Sequence, residues 1–298
     1  MIRKVLYKDI DFEKYEQCIQ ASYNYKVYAE AWYLNIHTAN QWDCIVFNDY
    51  EAVMPLPYIK KFGIKVISQP IYCQQLGIFS FKVINAYIFN QFVSIITGMK
   101  ILSYQFNEEN NLYNISQLKN NFLLDLNQSY EVLRSHYRRD RKKDIQRISK
   151  LNLEINSEID VEIFLDELNS KYPSFSKYYK EEWFRKLLIE LIDRGLYTFY
   201  ELKDKGVIIS SIFVVHSKSR RILLLSSRSE DSKYKGAFAF LVNYFIQKNS
   251  NTDLVLDFEG SMLSSIADFN ESFGSRMIKY PAIMQTKKNI VKKALRLT

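Results

Sequence analysis

The chain has 298 residues, of which 47% are hydrophobic and 25% charged, with 8 Gly and 5 Pro. These proportions exclude collagen-like, low-complexity or broadly disordered chains, and the length suits two domains of about 150 residues or one large one. A formal net charge of +8 favours an anionic partner, whether a phosphate, a nucleic acid or a membrane surface.

In chain order, Met1-Ile2-Arg3-Lys4 leads into charged Lys8-Asp9 and not into an apolar signal core. Periodicity predicts short helices over residues 11–21 and 29–36, then strands over 43–47, 51–58 and 64–69, with a turn at Asn48-Asp49. A helix over 83–97 and a strand over 100–106 complete this half. The helix carries Asn85, Asn90, Gln91 and Ser94, so it is not a membrane span. Cys18, Cys44 and Cys73 show no C-x-x-C spacing and read as free thiols of a reducing compartment. A cytoplasmic protein without stable membrane insertion is the expectation. Trp32, Tyr33, Tyr58, Lys60, Lys61, Gln69, Tyr72, Gln74 and Gln75 form a polar and aromatic constellation. It suits recognition of a peptide or sugar-like group, or else satisfies the turns between strands.

Residues 121–127 read as a strand, and residues 127–150 as one long helix capped by Asn127 or Ser129. Tyr130, Leu133, Tyr137, Ile145 and Ile148 supply its apolar stripe. Its basic cluster holds Arg134, His136, Arg138, Arg139, Arg141, Lys142, Lys143, Arg147 and Lys150. At helical spacing Arg138, Arg141 and Lys142 share one side, and Arg139, Lys143 and Arg147 another. One face suits an ion network between domains and the other a phosphate-bearing ligand; a solvated surface is the bland alternative.

The second half repeats the order of the first: helices over 160–169 and 180–194, then strands over 196–202, 207–216 and 221–227. Lys203-Asp204-Lys205-Gly206 is a hairpin turn, and Trp183, Leu187, Leu188 and Leu191 line one face of the second helix. A helix over 236–248, a strand over 253–258, a helix from Met262 and a strand over 276–284 follow. Such repetition of element order argues for duplicated α/β domains, 1–126 and 127–298. His37, His136 and His216 stand apart in sequence and make no metal pattern.

The stretch DLVLDFEGSMLSSIADFNESFG, residues 253–274, ends a strand in two carboxylates and a Gly-Ser step before a helix. Either Ser261 caps that helix between solvated acids, or Gly260 lets a ligand approach the backbone near free helix N–H groups. Forming an amide by direct transfer requires an acceptor amine that loses its proton and donors for an oxyanion. Glu259 is the best-placed base and Asp257 the alternative; both share a strand face if the strand persists to Glu259. Arg228, just past a strand, joins the candidate binding residues.

The element order resembles that of GNAT acyltransferases, and two copies joined by a basic helix resemble tandem-GNAT proteins related to the FemAB peptidoglycan aminoacyltransferases. LLDLNQSYEVLRSHYRRDRKKDIQRISKLNLEI is similar to that family's strand, Ser-Tyr helix start and basic segment. LDFEGSMLSSIADFNESFG is similar to its Asp-Phe-x-Gly-Ser strand end and helix closing in Phe-Gly. In the first half, YAEAWYLNI and MPLPYIKKFGIKVISQPIYCQQLGIFS resemble bacterial members. The resemblance covers nearly the whole chain. It implies an α/β protein of two GNAT-like domains with mixed sheets, joined by a long basic helix.

It also implies an acyl- or aminoacyltransferase acting on a cell-envelope or glycan precursor, with no permanently bound cofactor. Acyl-coenzyme A or aminoacyl-tRNA is the implied donor, and tRNA a candidate partner. Two departures weigh against coenzyme A. Phe238 stands in the pyrophosphate turn, Lys233 to Phe238, where GNAT enzymes keep a small residue. Asn270 stands where many of them place a tyrosine acid. The alternatives are an acyl-coenzyme A-dependent N-acetyltransferase and a catalytically silent binding protein.

Overall fold

The computed structural model describes residues 1–110, 117–171, 181–260 and 262–284. These form two compact units: residues 1–120 together with 279–284, and residues 121–278. The division falls inside two strands, at 120/121 and 278/279, whereas the element order places a single boundary at 126/127.

Unit 1 holds β1 (Ile2–Val5), α1 (Phe12–Ala21), α2 (Ala31–Thr38), β2 (Trp42–Phe47), β3 (Ala52–Lys61), β4 (Ile64–Ile67), β5 (Phe79–Ser80), α3 (Ala86–Thr97) and β6 (Ser103–Gln105). The strands pair antiparallel in the order β1-β2-β3-β4, with β5 on β3. Helix α1 starts where the Asp11 side chain accepts from Lys14 N–H, and buries Tyr15, Cys18 and Ile19 at helical spacing. Helix α3 is capped in the same way by Asn85. The three cysteines are free and buried. Strand β1 and the two-residue β5 escape the sequence pattern because neither is long enough to show a period.

Unit 2 runs β7 (Gln117–Asp125), α4 (Tyr130–Ser135), α5 (Arg139–Ile148), β8 (Glu154–Asn156), α6 (Val161–Lys171), α7 (Glu181–Asp193), β9 (Tyr197–Asp204), β10 (Val207–Ser217), β11 (Arg220–Arg228), α8 (Ala237–Asn249), β12 (Val255–Asp257), α9 (Ser264–Glu271) and β13 (Arg276–Met284). Part of its sheet has the order β7-β12-β11-β10-β9-β8. Of these five pairs only β11–β12 is parallel, joined through α8. Leu133, Ile145, Ile148, Val242, Phe245, Leu256 and Phe273 belong to one core beneath this sheet.

The expected single basic helix is two helices, α4 and α5, broken at His136-Tyr137-Arg138. Long-range contacts impose the break. Arg138 N–H donates to the Ser272 carbonyl at 2.9 Å. The Tyr137 ring meets Phe273 edge-on at 5.1 Å, and His136 lies against Gly274 so closely that a Cβ there would sit 2.8 Å from its own Cβ. A straight helix would forfeit all three contacts.

Candidate active site

Strands β11 and β12 pair over Arg220–Ile222 and Val255–Asp257 only. Beyond that point β11 continues to Arg228 along β10, while β12 stops. Residues 223–228 thus run roughly 20 Å past the last β12 pair, at about 3.3 Å per residue. The strands part at their carboxyl ends, the place where open α/β sheets hold ligands. Because α8 returns the chain between two parallel strands, its N-terminus lies at the same end.

Asp257 closes the apex of this gap. It is buried, and its Oδ2 accepts from Arg220 Nη1 at 2.8 Å and from Asn121 Nδ2 at 3.3 Å. Its Oδ1 accepts from Glu259 N–H at 2.8 Å, a local bond that turns the chain out of the strand. Glu259 follows with φ of +57°, in the left-handed region. The expectation that both carboxylates share one strand face therefore fails, because the strand ends at Asp257. The two acids are divided in role: Asp257 is held in an ion pair, and half-buried Glu259 stands beyond the turn with Gly260. The expected helix start at Met262 is also displaced. Helix α9 begins at Ser264 with Leu263 as an N-cap that has no side-chain hydrogen bond; Ser261 lies outside the described residues. Met262, Leu263 and Ile266 leave apolar side chains exposed beside this turn.

Gly236 caps α8 with φ of +100°. A Cβ there would lie 2.9 Å from Asp144 Cβ and 3.2 Å from the Asp144 carbonyl, so the glycine is needed for the close approach of α5. Phe238 stacks on Phe269 with ring centroids 4.8 Å apart. Arg147 donates to the Lys235 carbonyl and, at 3.0 Å, to Asp144.

The basic helix is thereby divided by partner. Arg138 forks between Asp140 and Asp268, each at 2.9 Å. Arg141 is buried, donates to Ser272 Oγ at 2.8 Å and lies over the Phe269 ring at 4.5 Å. Burial lowers its pKa against the pull of Asp144. Lys142 reaches the Ser135 carbonyl at 2.8 Å. Arg139 and Lys143 remain exposed, one turn apart on the same face. Arg228 is exposed at the end of β11.

In unit 1, some of the predicted constellation assembles. Tyr33 donates to the Tyr72 carbonyl at 2.8 Å, and the His37 ring lies 4.8 Å from Tyr33 and 5.7 Å from Tyr72. Trp32 donates its indole N–H to Glu30. The glutamines serve the backbone: Gln69 bonds the Cys73 carbonyl at 2.6 Å and Gln105 N–H at 3.0 Å, and Gln75 accepts from Glu108 N–H at 3.2 Å. Gln74 accepts from Gln75 at 2.9 Å. Tyr58 lies under the Lys65 ammonium at 4.1 Å, and Lys61 is exposed near the tip of the β3–β4 hairpin.

Three groups escaped sequence reasoning. Arg220 binds Asp257 from 37 residues away, and nothing local marks the pair. Asp144 owes its place to Gly236. Buried Glu167 accepts from Ser211 Oγ at 3.1 Å, from Lys171 at 2.6 Å and from Ser227. Serines inside the apolar strands β10 and β11 were its available signal. Burial pushes the His37 pKa down to about 3 and, with nearby Arg221, that of His216 to about 4. Among the described residues, no cluster of three His, Cys, Asp or Glu side chains is placed to hold a metal, and no helix is long and apolar enough to cross a membrane.

No family model matches the chain, and no curated protein sequence matches it. Its fold is nevertheless shared. FemX superposes with a TM-score of 0.65 at 9% identity, over 94% of this chain and 96% of that one. The C-terminal domain of a protein assigned as a lysylphosphatidylglycerol synthetase in Agrobacterium fabrum gives 0.56 at 10%, over 96% and 95%. A tandem GNAT protein from the clavulanic acid biosynthesis pathway gives 0.53 at 8%, over 95% and 97%. The mixed α/β chain therefore has the fold of FemX and of tandem GNAT proteins, as its element order and its Asp-Phe-x-Gly-Ser and Phe-Gly segments led one to expect.

Proposed function

We propose that this protein is an acyl- or aminoacyltransferase that forms an amide bond on a cell-envelope or glycan precursor. Both units are read as GNAT-like, and the chemistry is assigned to unit 2. The observation that carries the reading is the parting of β11 and β12 at Asp257-Glu259. It opens a strand edge beside one carboxylate held in an ion pair and a second turned out on a left-handed residue. The N–H groups of residues 223–228 that do not face β10 supply donors for a carbonyl oxygen and for the oxyanion formed from it. Glu259 takes the proton of the acceptor ammonium. The freed amine attacks the donor's acyl carbon; as the tetrahedral intermediate collapses, Glu259 gives its proton to the departing oxygen, then takes the second proton from the acylated nitrogen and releases it to water. Asp257 keeps Arg220 and the turn in place. Arg139 and Lys143 receive phosphates of donor or acceptor.

Aminoacyl-tRNA is favoured over acyl-coenzyme A as donor. At the turn where GNAT enzymes cradle pyrophosphate, α5 fills the open side of Gly236 and Phe238 is stacked on Phe269. This packing around the turn supports a donor held without a pyrophosphate cradle. The cell-envelope assignment draws on the FemAB resemblance and on the fold shared with the lysylphosphatidylglycerol synthetase domain. The test is single-turnover transfer from charged tRNA and from acyl-coenzyme A to amine-bearing envelope precursors. Transfer from charged tRNA that Glu259→Gln abolishes supports the proposal. Binding of precursor without transfer from either donor would leave a binding protein.

A further inference from the structure

The hairpin between β3 and β4 pairs Lys61 with Ile64 and turns through Phe62-Gly63. Both turn residues have positive φ, +50° at Phe62 and +76° at Gly63. Two-residue hairpin turns of this kind prefer Asn, Asp or Gly at the first position, and a bulky residue there is an outlier. Packing does not offset that strain, since Phe62 is 102% exposed. A strained, solvent-facing aromatic is retained for something outside the fold. Its surroundings point to the occupant. Ile59 and Ile64 are also exposed, and so are Lys60 and Lys61. Residues 58–67 contain no carboxylate. Lys65 is occupied by Asp43 at 2.8 Å, so the cations presented are Lys60 and Lys61.

We propose that this hairpin tip is a peripheral anchor that inserts Phe62 into the interface of an anionic lipid bilayer, with Lys60 and Lys61 on its headgroups. Aromatic rings settle at the interface, and lysines gain from negative surface potential. A convex tip of a few residues buries far less than the roughly 800 Å² per partner of a stable protein interface. A soft, extended surface asks for no such area. The inference stands apart from the transfer chemistry, because its readout is vesicle binding and not turnover.

The experiment is sedimentation of the full chain with vesicles of phosphatidylcholine, alone or mixed with phosphatidylglycerol. Phe62→Asn suits the left-handed turn, so its fold is preserved; Lys60→Ser with Lys61→Ser removes the charge. The parent should sediment with the mixed vesicles only, and less so in about 0.5 M salt. Phe62→Asn should weaken this about tenfold or more, and the double lysine variant roughly thirtyfold. Soluble glycerophosphoglycerol should not compete, which separates a bilayer from a free headgroup. No sedimentation of the parent, or parent-like sedimentation of Phe62→Asn, would overturn the anchor. So would an oligomer that Phe62→Asn disperses while vesicle binding persists.

Discussion

Arg141 Nε donates to Ser272 Oγ at 2.8 Å, tying the basic helix α5 to the C-terminal end of α9 across 131 residues of chain. The same guanidinium lies 4.5 Å from the Phe269 ring centroid and 5.4 Å from that of Phe273. This one side chain thus holds α5 against the end of α9, the helix that follows the turn at Glu259. Arg141→Ala should destabilise unit 2 by about 2–4 kcal/mol, combining a buried charged hydrogen bond with cation–π contact. Arg141→Lys should rescue little, since an ammonium reproduces neither the planar stacking nor the Nε bond. Urea unfolding of the variants measures both.

Gly236→Ala should be costly although the change is one methyl group. The residue must hold φ of +100° with a Cβ 2.9 Å from Asp144. Strain and displacement of α5 together should lower stability by about 1–3 kcal/mol. Gly206→Ala, at φ of +82° in an open hairpin turn, is the control with strain and no neighbour. Thermal midpoints that fall equally for both would show that Asp144 yields freely.

The two carboxylates of the candidate site should separate by readout. Asp257→Ala removes a buried carboxylate that accepts from Arg220, Asn121 and the Glu259 N–H, and should lower stability by about 3–5 kcal/mol. Glu259→Gln should leave the unfolding midpoint near the parent value and lower single-turnover transfer by about 10²–10⁴-fold. Parent-like transfer by Glu259→Gln removes Glu259 as the base.

Arg139→Ala with Lys143→Ala should weaken binding of a charged tRNA and flatten its dependence on salt. Each lost phosphate contact should change the log–log slope by about 0.7–0.9. Thermal stability should stay near that of the parent, since both side chains are exposed. Arg138→Ala is the contrast, because its fork is already taken by Asp140 and Asp268. Titrations at several salt concentrations decide.

Acid should destabilise unit 1 through His37. Burial lowers its pKa from 6.5 to about 3, so the unfolded chain binds a proton there that the folded chain refuses. The stabilisation is complete above the unfolded value and is lost as pH falls from about 6.5 towards 3, at about 1.4 kcal/mol per pH unit. His37→Phe keeps a ring between Tyr33 and Tyr72 and should reduce that slope. His216 shifts in the same direction, to about 4, and adds a similar dependence in unit 2. Unfolding free energies at pH 7, 6 and 5 test the slope.

Local chemistry accounts for what could be read from the chain alone. Apolar periods and the Lys203-to-Gly206 turn place most helices and strands within a few residues, and the caps Asp11 and Asn85, seen in the structure, set where two of those helices start. The Gly-Ser step after an apolar strand marked the end of β12 within a few residues, and the Phe-Gly segment the close of the helix that follows. These signals depend on neighbours within about one turn, where backbone geometry and side-chain hydrogen bonds act.

What only the tertiary structure decided depends on partners far apart in sequence. The apolar stripe of residues 127–150 reaches Tyr137 and resumes at Ile145 after a gap at the basic run, and so reads as one long helix. Ser272, Phe273 and Gly274 break it by offering three contacts that a straight helix cannot make. Asp257 and Glu259 look equivalent as residues two apart on a strand. Arg220 and Asn121 hold the first, and the bond from Asp257 to Glu259 N–H ends the strand and turns the second away. A charge run likewise does not say which arginines are engaged. Arg141 proved to be a buried clasp, while Arg139 and Lys143 stayed exposed, because only packing assigns carboxylates and rings to guanidinium groups. The physical reason is common to all three cases: periodicity reports which face an element buries, and the partner across that face is chosen by the rest of the chain.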